Sequence, residues 1–305
     1  MVPEIALNQM ISPKKLISRI LGQPSGSDDR PVLHRLGIDI VHGCQLRCVG
    51  CPNSTLKPKI EYMTVEDFES ILRDLDVSYI KRLRLFNFGE PLLHPRLPEI
   101  LAIIPKQAYK VRTVEVSTNA QHHDFALLAE AFKTGVINEF AVSCDGNGTK
   151  EEYERLRPPG RFSKLIEFMT KAKELRDNYA PHMKLVTRTI CQDEADRQRW
   201  KELLLPLGWT PEFRGWYHMP QSVRSGSEPN PSKGKKGCSF MKKGYLYVDY
   251  DGTVVPCCIH PRAFVLGNLK RERYSTIANG EERKARLHEL NTRKDEMPIC
   301  WDCQF

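Results

Sequence analysis

The chain has 305 residues, 40% of them hydrophobic and 28% charged, with 46 Lys and Arg against 38 Asp and Glu for a formal net charge of +8. That length supports one large domain plus a small one. No apolar run approaches the roughly 20 residues needed to span a bilayer. Lys14, Lys15 and Arg19 interrupt the one N-terminal apolar segment, so no secretory signal or membrane partner is expected. Ten cysteines without an export pattern predict metal ligation in a reducing cytosol, hence a cytoplasmic protein, over disulfides. Basic residues are spread along the chain, so the positive charge reads as a solvated surface and no nucleic-acid partner is expected.

Residues 1–30 read as an extension, in which Ser12-Pro13 starts a short helix with Leu16, Ile17, Ile20 and Leu21 on one side, followed by a Gly- and Ser-rich linker over 22–29. Residues 31–218 alternate short β-rich runs with helical ones, the pattern of parallel βα units. Strands are predicted at 36–41, 82–88, 111–117, 138–144, 184–190 and 210–215. Helices are predicted near 64–75, 97–105, 124–134, 162–176 and 194–205, the first capped by Thr64 with Asp67 three residues on. Six units are fewer than the eight of a closed barrel, which predicts an α/β fold built on an open, partial (β/α)6 barrel. In parallel folds of this kind, function collects at the C-terminal ends of the strands.

Directly after the first predicted strand comes Cys44-Gln-Leu-Arg-Cys48-Val-Gly-Cys51. Three thiolates at C-x3-C-x2-C leave one iron of a [4Fe–4S] cube free for an outside ligand. A zinc knuckle is the competing reading, with His42 as its fourth ligand, because structural zinc is normally closed by four. At these residues the chain resembles the radical S-adenosylmethionine (SAM) enzymes. The resemblance implies that Cys44, Cys48 and Cys51 hold the cube and that SAM chelates the open iron through its amino and carboxylate groups. It also implies reductive cleavage of SAM to methionine and a 5′-deoxyadenosyl radical that abstracts hydrogen from a substrate carbon. The residue before the last cysteine, usually aromatic in that family, is Gly50 here.

The later strand ends extend the likeness. Gly89-Glu90-Pro91 looks like the family's Gly-Gly-Glu-type segment, with Glu90 on the amino group of SAM. Ser117-Thr118-Asn119 resembles the ribose-contacting segment, and Ser143-Cys144-Asp145-Gly146 the S-x-D-G segment of members with an added cluster domain. Tyr153-Glu-Arg-Leu-Arg157 resembles the segment whose arginine holds the SAM carboxylate, which assigns Arg157, with Arg155 as the alternative. Arg188, Arg214, Trp216, Tyr217 and His218 are candidates to line a substrate cavity. Cys144 and Cys191 belong to neither metal group and read either as buried inert thiols or, with Arg188, as catalytic residues, the thiols donating a hydrogen atom to a substrate radical.

Residues 219–237 cannot bury a core and read as a mobile linker or lid. Beyond them, residues 238–305 form a second cysteine domain, in which Asp251-Gly252 predicts a hairpin with a type I′ turn that returns Cys257 toward Cys238. The chain ends Cys300-Trp-Asp-Cys303. The arrangement resembles the SPASM/Twitch extension of radical SAM enzymes, in its shorter, single-cluster form. That likeness implies Cys238, Cys257, Cys300 and Cys303 as ligands of an auxiliary [4Fe–4S] cluster, with Cys258 beside them as an unassigned neighbour. A structural zinc site closed by four cysteines is the alternative.

Two [4Fe–4S] clusters and SAM are therefore the implied cofactors, with an electron donor such as flavodoxin or ferredoxin. The expected chemistry is a two-electron oxidation in which the substrate radical passes its electron to the auxiliary cluster. A small polar molecule, a sugar or aminocyclitol alcohol, is the first substrate class, since about 35 residues before the first strand are too few for a peptide-recognition domain. A peptide-modifying maturase or epimerase is the alternative, and a zinc-stabilised binding protein the more distant one.

Overall fold

The β-branched and leucine-rich runs form parallel strands and the amphipathic runs between them form covering helices. In the computed structural model, which describes residues 29–226, 236–241 and 244–305, strand β1 (Arg35–Ile38) leads to helix α1 (Val65–Asp74). Thr64 caps that helix, its hydroxyl accepting from the Asp67 N–H at 3.0 Å, and Val65, Phe68, Ile71 and Leu72 form its buried stripe. Then come β2 (Leu83–Arg84), α2 (Leu97–Ile103), β3 (Val114–Thr118), α3 (Phe125–Lys133) and β4 (Glu139–Asp145). A seven-residue helix not expected from the sequence, α4 (Lys150–Leu156), precedes α5 (Phe162–Tyr179). The barrel half ends with β5 (Lys184–Ile190), α6 (Glu194–Leu204) and β6 (Thr210–Arg214). The predicted N-terminal helix and most of its linker, like residues 227–235, lie outside the described residues.

The six strands lie side by side and parallel in the order β6-β5-β4-β3-β2-β1. The sheet does not close, which is the open half-barrel expected. Instead β7 (Tyr245–Val248), from the C-terminal segment, pairs in parallel with β1, Tyr247 opposite Gly37. β8 (Thr253–Val255) and β9 (Gly267–Asn268) continue antiparallel, and helices α7 (Tyr274–Asn279) and α8 (Glu281–Thr292) follow. The second cysteine segment thus extends the barrel's own sheet, and residues 31–305 form one compact unit.

Three expectations need correcting in detail. The ladder at 82–88 is confined to Leu83–Arg84, because Asn87, Phe88 and Gly89 turn away to donate their N–H groups to the Asp39 carboxylate. The hairpin turn is not type I′, which would need positive φ at both central residues. Gly252 has φ +84° and donates to the Asp249 carbonyl at 2.9 Å, while Asp251 is not among the positive-φ residues: a type I-like turn closed by a left-handed glycine. Finally, the start of the expected linker is held in place, with the Val223 N–H on Ser54 Oγ at 3.1 Å and the Gly50 N–H on the Val223 carbonyl at 2.7 Å.

Side-chain alternation decides what faces the concave side. Ser117, Ser143, Asp145, Arg188 and Arg214 line a cavity there, whereas Val116, Val142 and Cys144 pack under the helices. Phe132, Phe140, Phe168 and Trp209 anchor that helical side, with Phe132 and Phe140 edge-to-face at 5.1 Å. Among the described residues no helix is long and apolar enough to cross a membrane.

Candidate active site

A cavity of about 340 Å³ opens at the C-terminal ends of the strands, lined by Cys44, Cys48 and Cys51 together with Gly89, Glu90, Asn119 and Arg157. The piece that assembles it is Asp39, a residue with no motif around it to mark it in the sequence. It sits just past β1 at 4% exposure and accepts from the N–H groups of Asn87 at 2.6 Å, Phe88 at 3.0 Å and Gly89 at 3.2 Å. That anchor pulls the loop after β2 against the segment leading to the cysteines. A Cβ on Gly89 would lie 1.7 Å from the Val41 carbonyl oxygen, so no other residue fits there. Burial pushes the Asp39 carboxyl up to about 7, against the opposing pull of its backbone hydrogen bonds.

Glu90 follows directly. Its N–H donates to the Gly43 carbonyl at 3.1 Å, and its carboxylate accepts from the Leu92 N–H at 3.1 Å and the Asn119 N–H at 2.7 Å. Burial raises its carboxyl to about 7 as well. Asn119 in turn donates from Nδ2 to Cys44 Sγ at 3.2 Å and exchanges hydrogen bonds with Gln45. The ends of β2 and β3 are therefore bonded to the cysteine loop through Glu90 and Asn119. Pro91 opens the short turn that Glu90 caps and lies buried behind it, outside the cavity lining.

Arg157 and Arg155 separate cleanly. Arg155 pairs with Glu152 on the exposed face of α4, while Arg157, the residue that ends α4, is buried and ion-paired with Asp145 at the cavity wall. Its Nε is buried without a partner among the described residues. Gly50 has φ +80°, and a Cβ there would meet the Trp216 ring at 3.2 Å, so an aromatic face from the end of β6 covers the position.

Arg188 lines the cavity from β5, its NH2 on Glu115 at 2.9 Å and Glu139 at 3.1 Å and its guanidinium 4.8 Å from the Phe86 ring centroid. The proposed thiol donors are not brought to it. Cys144 points from β4 into the hydrophobic core because Ser143 and Asp145 take the cavity face, and Cys191 is packed in the same core; neither lines the cavity. Their assignment as hydrogen-atom donors is corrected on that ground.

The second thiol set is gathered as the hairpin required. Cys257 feels the charge of Cys238, and Cys300 and Cys303 each feel Cys238 as well. Cys258 turns the other way, toward Tyr247, Arg35 and Arg84. His218, just past β6, reaches Asp302 between the last two cysteines at 2.8 Å, and its N–H donates to Gln304 Oε1 at 3.1 Å, so the barrel's end is tied to the terminal C-x2-C.

Both sets suit iron–sulfur ligation by their donor chemistry. Burial pushes the Cys44 and Cys51 thiols up to about 12 and Cys300 to about 11, with neighbouring thiolates adding to the rise and Arg157 and Lys294 only partly opposing it at Cys51 and Cys300; cluster irons would supply the missing positive charge. Among the described residues no three His, Cys, Asp or Glu side chains converge on a single ion, and thiolates serving one cube need not, since each binds a different iron.

Comparison with known proteins agrees with this geometry. Residues 38–197 match the Radical SAM superfamily, and the chain belongs to it. Residues 238–304 match SPASM, an iron-sulfur cluster-binding domain, so SAM and two iron–sulfur clusters are the cofactors these domains imply. Among curated proteins, the chain is 26% identical over 217 residues to a probable GTP 3′,8-cyclase of Methanocella arvoryzae, covering 70% of this chain and 68% of that one. It is 21% identical over 280 residues to the subtilosin biosynthesis protein AlbA of Bacillus subtilis, 84% of this chain and 61% of AlbA's length. Among solved structures, anSMEcpe with bound AdoMet superposes with a TM-score of 0.61 at 15% identity, over 90% of this chain and 88% of that one. BtrN in complex with AdoMet and 2-DOIA gives 0.53 at 16% identity, over 90% and 95%. At those identities the structures speak for the fold.

Proposed function

We propose that this chain is a radical SAM oxidoreductase of the dehydrogenase kind, acting on a carbon of a small polar molecule such as a sugar or aminocyclitol alcohol. The observation that carries the reading is the convergence on one cavity of Cys44, Glu90 and Asn119 from the loops after three successive strands and of Arg157 from the end of α4. Cys44, Cys48 and Cys51 would hold the first cluster, and Cys238, Cys257, Cys300 and Cys303 the second. When bound, the reduced first cluster and SAM supply a hydrogen-abstracting 5′-deoxyadenosyl radical, and the second cluster an electron acceptor. Glu90 offers a buried carboxylate for the amino group of SAM, and Arg157 a buried guanidinium for its carboxylate. Ser117, Asn119 and Ser143 line the cavity with hydroxyl and amide groups that would suit the ribose hydroxyls of SAM. Trp216 over Gly50 keeps water from the cysteine loop. A flavodoxin- or ferredoxin-like donor would reduce the first cluster.

A small substrate is supported by the volume of the cavity, about 340 Å³, which Arg188 lines while ion-paired with Glu115. The similarity to AlbA, named for bacteriocin biosynthesis, favours a peptide as the second reading, and the relative named a GTP cyclase favours a nucleotide. Anaerobic SAM cleavage with deuterated candidate alcohols, nucleotides and peptides separates them. Deuterium in 5′-deoxyadenosine from an alcohol is the expected result; transfer from a peptide Cα alone would overturn the small-molecule reading.

A further inference from the structure

The charges lining the inside of the half-barrel do not balance. Arg35, Arg82, Arg84, Arg188 and Arg214 lie close enough to repel one another, and the carboxylates among them are Glu115, Glu139 and Glu212. Glu115, fully buried, is shared by Arg82, Arg84 at 2.8 Å and Arg188 at 2.9 Å, and Glu139 meets Arg82 at 3.6 Å and Arg188 at 3.1 Å, so two carboxylates answer three guanidinium groups. Arg188 is 8% exposed and spends its NH2 on Glu115 and Glu139, while its Nε and NH1 are buried with no partner among the described residues. It lines the cavity, and Arg214, which ends the neighbouring strand opposite Ile190, two residues further along than Arg188, lines it too. Burial and the neighbouring guanidinium groups pull Arg84 down to about 9 and Arg188 to about 10, and both stay charged at neutral pH. Buried positive charge in excess of its carboxylates is costly unless a further counter-charge meets it, and buried N–H donors left without a partner suit an oxyanion.

We propose that Arg188, seconded by Arg214, is an oxyanion-binding subsite at the floor of the cavity, and that the substrate carries a carboxylate or phosphate there. This rests on the radical SAM reading above and narrows it: an amine-bearing substrate whose ammonium faced this floor would meet like charge, whereas an acidic sugar or a sugar phosphate would be held and oriented by it. Nε and NH1 point to opposite sides of the guanidinium, so each offers a single N–H to an oxyanion, with Arg214 supplying the second contact, and the Phe86 ring lies against the guanidinium.

The test is anaerobic calorimetric titration of the cluster-reconstituted, SAM-bound protein with inorganic phosphate and, separately, acetate, at constant ionic strength. Saturable binding is expected, weakened roughly tenfold or more by Arg188→Gln and unchanged by Arg96→Gln, a surface arginine paired with Glu99. Tighter phosphate than acetate would mark a phosphate-bearing substrate, and the reverse a carboxylate. Equal binding by wild type and Arg188→Gln, or no binding of either anion, overturns the subsite. Should Arg188→Gln not fold, Arg214→Gln carries the test, since Arg214 pairs with the exposed Glu212; a several-fold loss supports the subsite and no loss overturns it. SAM cleavage, followed in parallel, keeps the two readings apart. Normal cleavage without anion binding removes the subsite alone, and anion binding without cleavage removes the enzymatic reading alone.

Discussion

Cys44, Cys48 and Cys51 share a cavity with Glu90, Asn119 and Arg157, whereas Cys238 and Cys300 pack against a small core of Met241, Leu290 and Met297. Burial disfavours the thiolate at Cys44, Cys48 and Cys51 and at Cys257, Cys300 and Cys303 alike, but the first set keeps polar groups around an opening and the second has a fourth cysteine instead. Three thiols with an open side suit a cluster that must bind a further ligand, and four suit one that need only carry an electron. The contrast comes from local chain geometry. The first set rides the loop after β1, against which Asp39 holds the loop after β2, and the second is closed by a hairpin and a C-terminal C-x2-C tied down through His218 and Asp302.

The comparison breaks most sharply at Cys44→Ala, which is expected to reduce SAM cleavage to background while leaving iron at the second site; unaltered formation of 5′-deoxyadenosine would remove the first cluster from its role. Next comes Gly89→Ala. With the new Cβ 1.7 Å from a backbone oxygen, the loop must move, and a loss of about 3 kcal/mol or more is expected together with loss of SAM binding. Chemical unfolding and SAM titration check it, and wild-type behaviour in both would contradict the cradle. Replacing Cys300 and Cys303 together with Ala should lower iron from roughly eight to roughly four per chain, keep SAM cleavage and block product. Normal product yield would make the second site merely structural.

A smaller effect separates the anchor from the ligands. The Asp39 carboxyl is raised from 3.8 to about 7 by burial, so its contribution to stability is complete below about pH 4 and is lost as pH rises through about 7. The cluster-free chain should therefore lose stability toward higher pH, and Asp39→Asn should flatten that slope by up to about 1.4 kcal/mol per pH unit. Urea unfolding at about pH 5 and about pH 8 measures it, and an unchanged slope would contradict the assignment. The smallest effect lies far from both sites: Thr64→Ala should cost about 1 kcal/mol through the lost cap on α1, with cleavage untouched.

The sequence made the fold and the thiol sets legible because both rest on short-range signals. Six alternating β and α runs need parallel crossovers, and cysteines two or three residues apart on one loop can share a centre. Glu90, Asn119 and Arg157 were legible through resemblance, and the structure brings them to one cavity. What escaped depends on long-range partners. Asp39 looks like one more polar residue until its three backbone donors from the loop after β2 are in view. α4 is too short to announce itself, so the choice between Arg155 and Arg157 waited on which side of it each occupies. Cys144 went astray by one residue, since neighbours on a strand face opposite ways. The arginine excess under the cavity is spread over strands far apart in the sequence, and the +8 net charge conceals it.

One anaerobic assay addresses the central claim, that the open thiol set does the cleaving and the closed one does not. Dithionite-reduced, iron-reconstituted wild type, Cys44→Ala and the Cys300→Ala plus Cys303→Ala double variant are compared for 5′-deoxyadenosine formation. The account predicts cleavage by wild type and the double variant and none by Cys44→Ala. Cleavage by Cys44→Ala, or its loss in the double variant with the first cluster still loaded, would contradict it.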